Sequence, residues 1–251
     1  MDDRQSYAAQ AVQRLQKTPF RKLIIFENDD YLVVNKPAFV ATLDDRHDDL
    51  NIIAMARDYT PDAQVCHRLD KETSGALIIA KNPEAYRSVS IQFEKRQVDK
   101  IYHAVCDGIH DFRELKIDDP LYASSKGVVK VSQRDGKDAL TYVSTLKAYR
   151  RHTLVACKPL TGRMHQIRVH LANAGASISG DIQYGGKPFL LSENKRNFNL
   201  KKDTEEQPLI KRVALHAHAI GFKLMNQEHV RIEAPSAKDF GVVLKQLEKL
   251  S

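Results

Sequence analysis

His67-Arg68-Leu69-Asp70-Lys71-Glu72-Thr73-Ser74-Gly75, followed by Ala76-Leu77-Ile78-Ile79-Ala80, decides how this chain is read. The second half is an unbroken apolar run of strand length, bounded by turn residues, and predicts a buried strand. The first half is the polar loop that feeds it. A carboxylate between Arg68 and a Thr-Ser-Gly turn is not an ordinary solvated acid, because charge, burial and the turn all bear on its ionisation and aim. The hydroxyls or N–H groups of Thr73 and Ser74 can hold the loop that carries it. A fixed, ionised Asp70 can act as nucleophile, general base or electrostatic stabiliser. The plainer alternative is a loop aspartate paired with Arg68.

Working outward, strands dominate. Lys22–Phe26 and Tyr31–Asn35 are apolar runs separated by Glu27-Asn28-Asp29-Asp30, a hairpin signal. Asn82-Pro83 predicts a helix start, with proline at the first position, running to about Gln97 with Val89 and Phe93 inward. Strands are expected at 101–106, 128–131, 139–146 and 153–158. Thr161-Gly162 is expected to open a helix that reaches Ala174 and stops at Gly175. Residues 187–212 read as a charge-rich mobile surface loop. Strands at 214–224 and 229–232 follow, then a last helix with Ser236 and Asp239 as its capping box. Consecutive strands without crossover helices predict an α+β fold with a mixed, largely antiparallel sheet and flanking helices. The expected organisation is an N-terminal arm, residues 1–21, with a weak amphipathic helix at 5–17, and one catalytic domain, residues 22–251.

The chain has 251 residues, 42% of them hydrophobic, which suffices for a substantial core. Its 39 Lys and Arg exceed its 32 Asp and Glu, and this basic balance favours a polyanionic partner, nucleic acid first. Cys66, Cys106 and Cys157 are odd in number, far apart and without a Cys-x-x-Cys pair, which argues against zinc and against a disulfide framework and fits a reducing cytosol. Cys66 beside His67 reads as a packed thiol rather than a nucleophile. The N-terminus lacks the apolar stretch of a signal peptide, and no run approaches the roughly 18 apolar residues of a membrane span, so the expected location is the cytoplasm, with no membrane partner.

Three further windows carry chemistry. Pro159–His170 holds Arg163, His165, Arg168 and His170 around the expected helix start, where N–H groups and an arginine attract anions. At a spacing of three, His165 and Arg168 would share a helix face, opposite an apolar face of Ile167, Leu171 and Ala174. A solvated basic face is the alternative. Gly180–Lys187 misses the Walker spacing, since Asp181 stands where its first glycine belongs and Pro188 follows the lysine; a structural turn is expected. Tyr102, alternating along a strand, could stack on a base or move a proton, although a core tyrosine is the commoner case.

Together these windows resemble the RluA-type RNA pseudouridine synthases. Leu32-Val33-Val34-Asn35-Lys36-Pro37 resembles the family's first motif, and His67–Gly75 its second. Lys100-Ile101-Tyr102-His103-Ala104 gives the tyrosine context, and Thr161–His170 with Gly175 and Gly180-Asp181 the third motif. Leu215-His216-Ala217 and Glu233-Ala234-Pro235 match the closing ones. Five windows in the right order, over residues 22–247, make a specific match. The resemblance implies two merged subdomains with an RNA cleft between them, no cofactor and no metal, and isomerisation of uridine in ribosomal or transfer RNA. It implies Asp70 as the essential aspartate, Arg168 as its ion-pair partner, and Tyr102 as the tyrosine that stacks on the base and can take its proton. Arg68, His67, Arg163 and His165 are expected on the RNA, with Leu215 lining the pocket, in a monomer. Phe39 departs from the family's usual glycine, and Ala41-Thr42-Leu43 from its usual histidine-containing turn; both are expected to alter the rim of the cleft. Too few residues precede the catalytic part for the RNA-binding domain that many members carry there, so the arm and the 187–212 loop are expected to share in target recognition.

Two other classes compete. A non-catalytic RNA-binding or assembly factor could use the same fold, but the set Asp70, Tyr102 and Arg168 argues against it. An aspartyl-phosphate hydrolase typically wants a second aspartate at position 72, where Glu72 stands, and a glycosidase wants a paired carboxylic acid at fixed separation.

Overall fold

The computed structural model describes residues 3–44, 50–125, 127–195, 198–200 and 204–250. In chain order the elements are α1 (Asp3–Gln16), β1 (Ile24–Glu27), β2 (Tyr31–Lys36), α2 (Ile52–Tyr59), β3 (Gln64–Val65), β4 (Ser74–Ala80), α3 (Pro83–Glu94), β5 (Asp99–Asp107), β6 (Leu115–Ile117), β7 (Leu121–Ala123), β8 (Val129–Val131), β9 (Thr141–Ala148), β10 (His152–Pro159), α4 (Gln166–Asn173), α5 (Leu191–Asn194), β11 (Leu215–Lys223), β12 (His229–Glu233) and α6 (Lys238–Leu250). They fall into two compact units, one of residues 1–102 with 216–237 and one of residues 103–215 with 238–251. The class is α+β, as the strand pattern predicts.

In the first unit β2 pairs antiparallel with both β1 and β4, and β3 pairs antiparallel with β4. The parallel exception is β11, whose His216 and Ala217 lie beside Ser74 and Gly75, and β12 returns antiparallel to β11. Successive side chains on a strand alternate faces. Leu32, Val34, Leu77 and Ile79 therefore enter one apolar cluster with Ile52, Ile53 and Ala56 of α2. Tyr31, Val33, Ala76, Ile78 and Ala80 enter another with Ala85 and Val89 of α3. Both faces of β4 are covered, which is why it reads as a continuous apolar run. Helix α3 starts as expected: Asn82 accepts the Ala85 N–H at 2.8 Å and Pro83 takes the first turn.

In the second unit β10 pairs antiparallel with β9, and β9 with β6, while β7 and β8 form a separate two-stranded ribbon. Three expectations fail here. The helix after Thr161 begins only at Gln166, with His165 before it in the left-handed region at φ 52°. Thr161 Oγ1 donates to Gln166 Oε1 at 2.7 Å and accepts the Leu140 N–H at 2.9 Å, so these side chains hold 161–165 as a loop. His165 thus lies off the helix and cannot share a helix face with Arg168. The 187–212 segment, some of which lies outside the described residues, is not simply a surface loop: Phe189, Ile210 and Arg212 are fully or almost fully buried. Finally, Asp239 does not complete a capping box with Ser236, because its carboxylate receives the Arg212 guanidinium at 2.7 and 2.9 Å.

Candidate active site

The loop that carries Asp70 is held through its main chain on both sides. Leu69 is buried, and Thr42 Oγ1 both donates to its carbonyl at 2.9 Å and accepts its N–H at 3.2 Å. On the other side, the Lys71 carbonyl accepts from the Phe39 N–H at 2.7 Å and from Lys36 Nζ at 3.3 Å. Lys36 is fully buried and its ammonium also donates to the carbonyls of Pro37 and Val40, both at 2.9 Å. Buried charge is tolerable only with such hydrogen bonding. A turn bond from Thr73 N–H to the Asp70 carbonyl, 3.0 Å, closes the loop.

Where the loop enters β4, Ser74 Oγ meets His216 Nδ1 at 2.9 Å, and His216 Nε2 lies 3.2 Å from the Ala234 carbonyl. One buried histidine thereby ties the loop to both closing motifs. Gly75 has φ 118°, and a Cβ there would stand 2.2 Å from the Ala217 carbonyl oxygen, so only glycine fits between β4 and β11.

Around Asp70, Arg68 is exposed and His67 is half-buried. The His67 ring makes local contacts, its Nε2 accepting the Ile78 N–H at 3.1 Å and its face packing 5.0 Å from Phe93. Burial, with the positive charge of Lys100 adding to it, pushes His67 down to about 3, so it stays neutral. Burial likewise lowers Lys100 to about 8. Tyr102 packs, half-buried, against the cluster that contains Leu69. Burial first, and then the negative charge of Asp70, hold its phenol protonated far above the usual tyrosine range. Cys66, as expected, is a packed thiol, pushed up to about 12 by burial.

The second unit fixes the other cation. Arg168, almost fully buried, donates from Nε and Nη2 to the two carboxylate oxygens of Asp181, both at 2.7 Å, and from Nη2 to Gln183 Oε1 at 3.2 Å. Its guanidinium lies 4.9 Å from the centre of the Tyr184 ring. The Tyr184 hydroxyl accepts the Val129 N–H at 3.1 Å and sits 2.8 Å from His165 Nδ1. The turn at 180–187 supplies the cradle for Arg168. Arg163 is exposed and its Nε donates to the Asp138 carbonyl at 3.0 Å. His170 is fully buried between Thr141 and the Asp119 carbonyl. Leu215 is buried, and its carbonyl accepts from Arg212 Nη1 at 3.0 Å.

The expected site residues thus fall in two groups, with Asp70, Tyr102, Arg68 and His67 in the first unit and Arg168, His165, Arg163 and Leu215 in the second. The sequence reading missed Lys36 and Thr42 as clamps and Asp181, Gln183 and Tyr184 as the arginine cradle. A lysine closing an apolar strand just before proline was a usable signal for the first; nothing local signals the others. Among the described residues no group of His, Cys, Asp and Glu could hold a metal ion, and no helix is long and apolar enough to cross a membrane.

The sequence model of the RNA pseudouridylate synthase family matches residues 30–173. The chain is 34% identical over 233 residues to the ribosomal large subunit pseudouridine synthase C of Escherichia coli (strain K12), covering 90% of this chain and 70% of that one. Against the synthase of the same name from Buchnera aphidicola subsp. Baizongia pistaciae (strain Bp) the identity is 32% over 237 residues, 91% and 71% of the two chains. The solved structure of human RNA pseudouridylate synthase domain containing 4 superposes with a TM-score of 0.69 at 22% identity, over 96% of this chain and 98% of that one, and so shares the fold. Human RNA pseudouridylate synthase domain containing 1 gives 0.62 at 26%, over 90% and 94%. The family match, and a relative more than 30% identical over most of both chains, establish that this chain belongs to the RluA-type RNA pseudouridine synthases, which are isomerases.

Proposed function

We propose that this enzyme converts uridine to pseudouridine in ribosomal RNA of the large subunit, with Asp70 as the catalytic aspartate. The observation that carries the reading is the clamp on both main-chain sides of Asp70, from Thr42 on Leu69 and from Phe39 and Lys36 on Lys71. A carboxylate carried on a loop whose main chain is held this firmly is pre-organised for one reacting position. The reaction breaks the bond from uracil N1 to ribose C1′, turns the base and joins C5 to C1′. The proton lost from C5 is balanced by one gained at N1, so no external reactant is needed. The base must first leave its stack.

Asp70 attacks a carbon of the substrate or removes a ribose proton. Tyr102 stacks on the base. Its protonated phenol argues against a standing phenolate base. Arg168 is the cationic catalytic residue. Arg68 and Arg163, both exposed, serve the RNA backbone, together with His165. His67 is better assigned to anchoring the loop, because Nε2 already takes the Ile78 N–H. Leu215 supplies apolar surface to the base. Residues 22–251 form the catalytic domain, monomeric and cytoplasmic. Large-subunit ribosomal RNA is favoured because the named relatives act there. Mapping pseudouridines in total RNA with and without the gene tests this: a uridine of the large-subunit RNA loses its modification in the deletion. Loss confined to transfer RNA would move the substrate there.

Two substitutions probe the supports. Thr42→Val keeps the shape and removes both bonds to Leu69. Its expected effects are a kcat about tenfold lower, KM changed less than about threefold, and about 1–2 kcal/mol of lost stability. Steady-state kinetics and thermal melts check them. Asp181→Asn removes the charge that aims Arg168. Single-turnover rates are expected to fall about tenfold to a hundredfold, while RNA binding holds within about threefold.

A further inference from the structure

We propose that the N-terminal segment around Arg14–Lys22 is a second RNA-phosphate contact, held in fixed register with the Asp70 loop. Residues 4–26 carry five basic residues, Arg4, Arg14, Lys17, Arg21 and Lys22, and no acid, whereas the whole chain has a net charge of only +7. Arg14, Lys17, Arg21 and Lys22 are exposed, and among the described residues none of the four forms an ion pair. An acid-free run of exposed cations is the electrostatic footprint of a phosphate backbone.

The apolar residues of the same segment point the other way. Leu15, Phe20 and Leu23 are buried in the cluster that includes Leu69, and Tyr102 packs on that cluster. Phe20 lies 5.7 Å from the Tyr59 ring. Further up α1, Tyr7 meets the edge of Phe39 at 5.5 Å and 75°. Phe39 is buried and has φ 67°, a left-handed conformation rare for a bulky residue. Its N–H is the one that holds the Lys71 carbonyl. A ring kept there against backbone strain is explained by the helix it docks. The cations thus ride on a segment seated in the same core as the catalytic loop, with its apolar side buried rather than offered to a bilayer.

This inference rests on RNA being the substrate, and binding is measured apart from turnover. Full-length protein with Arg14→Gln, Lys17→Gln, Arg21→Gln and Lys22→Gln is titrated, by fluorescence anisotropy, into a long fragment of large-subunit ribosomal RNA around the modified uridine and into a short hairpin holding that uridine alone. The long fragment is expected to bind at least about tenfold more weakly, with the log–log salt slope shallower by roughly 3. For the short hairpin the difference shrinks below about threefold. Equal binding of the long fragment by variant and wild type overturns the proposal, as does the same loss on both RNAs. Tyr7→Ala, which keeps every one of these charges, is expected to lose part of the long-fragment affinity; full affinity would overturn the fixed register. If wild type binds RNA through these cations yet isomerises nothing, the proposed activity fails and the RNA contact stands.

Discussion

Asp70→Asn is expected to lower the isomerisation rate roughly 10⁴-fold or more, the scale seen when the group doing the covalent or proton-transfer step is removed. The fold should be indifferent to the change. The loop is held by Leu69, Lys71 and Thr73, and the bonds they make run through main-chain groups that the exchange of carboxylate for amide does not disturb. Unfolding free energy should move by no more than a surface substitution allows, about 0.5 kcal/mol. RNA affinity should hold as well, since phosphate contacts dominate it. A residual rate within tenfold of wild type would remove Asp70 from the chemistry and return it to a structural ion pair.

The largest expected stability effect lies elsewhere. Arg212 is fully buried and meets the Asp239 carboxylate through two nitrogens while also donating to the carbonyls of Val213 and Leu215, at 3.1 and 3.0 Å. Arg212→Met leaves that carboxylate without its cationic partner, at a cost of about 3–5 kcal/mol. For a chain of this size that is a melting-temperature drop of roughly 6–20 °C. The pH dependence carries a sign. Burial raises the Asp239 carboxyl, but the hydrogen bonds and charge of Arg212 outweigh it and hold the group below its usual range. A depressed carboxyl stabilises the fold above the unfolded value, about pH 4, and that contribution fades as pH falls through the folded value. In Arg212→Met the charge that opposes burial is gone and only main-chain N–H groups, Phe240 at 2.8 Å among them, still favour the carboxylate, so protonation relieves the fold. The stability gap between variant and wild type should therefore narrow as pH drops from 7 toward 4, in denaturant titrations at each pH. A gap independent of pH would show that the loss is packing rather than charge. The double substitution with Asp239→Leu should recover most of the loss.

Legibility from sequence followed the range of the interactions. Strand β4 was readable because burial on both faces leaves a local mark, an unbroken apolar run. The β1–β2 hairpin and the Asn82-Pro83 start were readable because turns and caps are made by neighbours in the chain. The start of α4 was misplaced because Thr161, which resembles a cap, bonds Gln166 and Leu140 instead. Asp239 looked like a capping acid because Arg212, far back in the sequence, cannot be seen from its window. For the site, the motif order pointed to Asp70, Tyr102 and Arg168. The contacts that hold the Asp70 loop and Arg168 did not show: Lys36 and Thr42 lie a long stretch of chain before the loop, and the Asp181–Tyr184 cradle reads locally as a turn. Phe39 was visible as a departure from the family but not as the dock for Tyr7.

Tritium release from large-subunit ribosomal RNA labelled at uracil C5 tests the central claim most directly, because forming the C5–C1′ bond expels that hydrogen. Wild type should release tritium until its target uridine is exhausted, and Asp70→Asn, folded and bound to the same RNA, should release none above background. Equal release by both proteins, or none by either, would contradict the account.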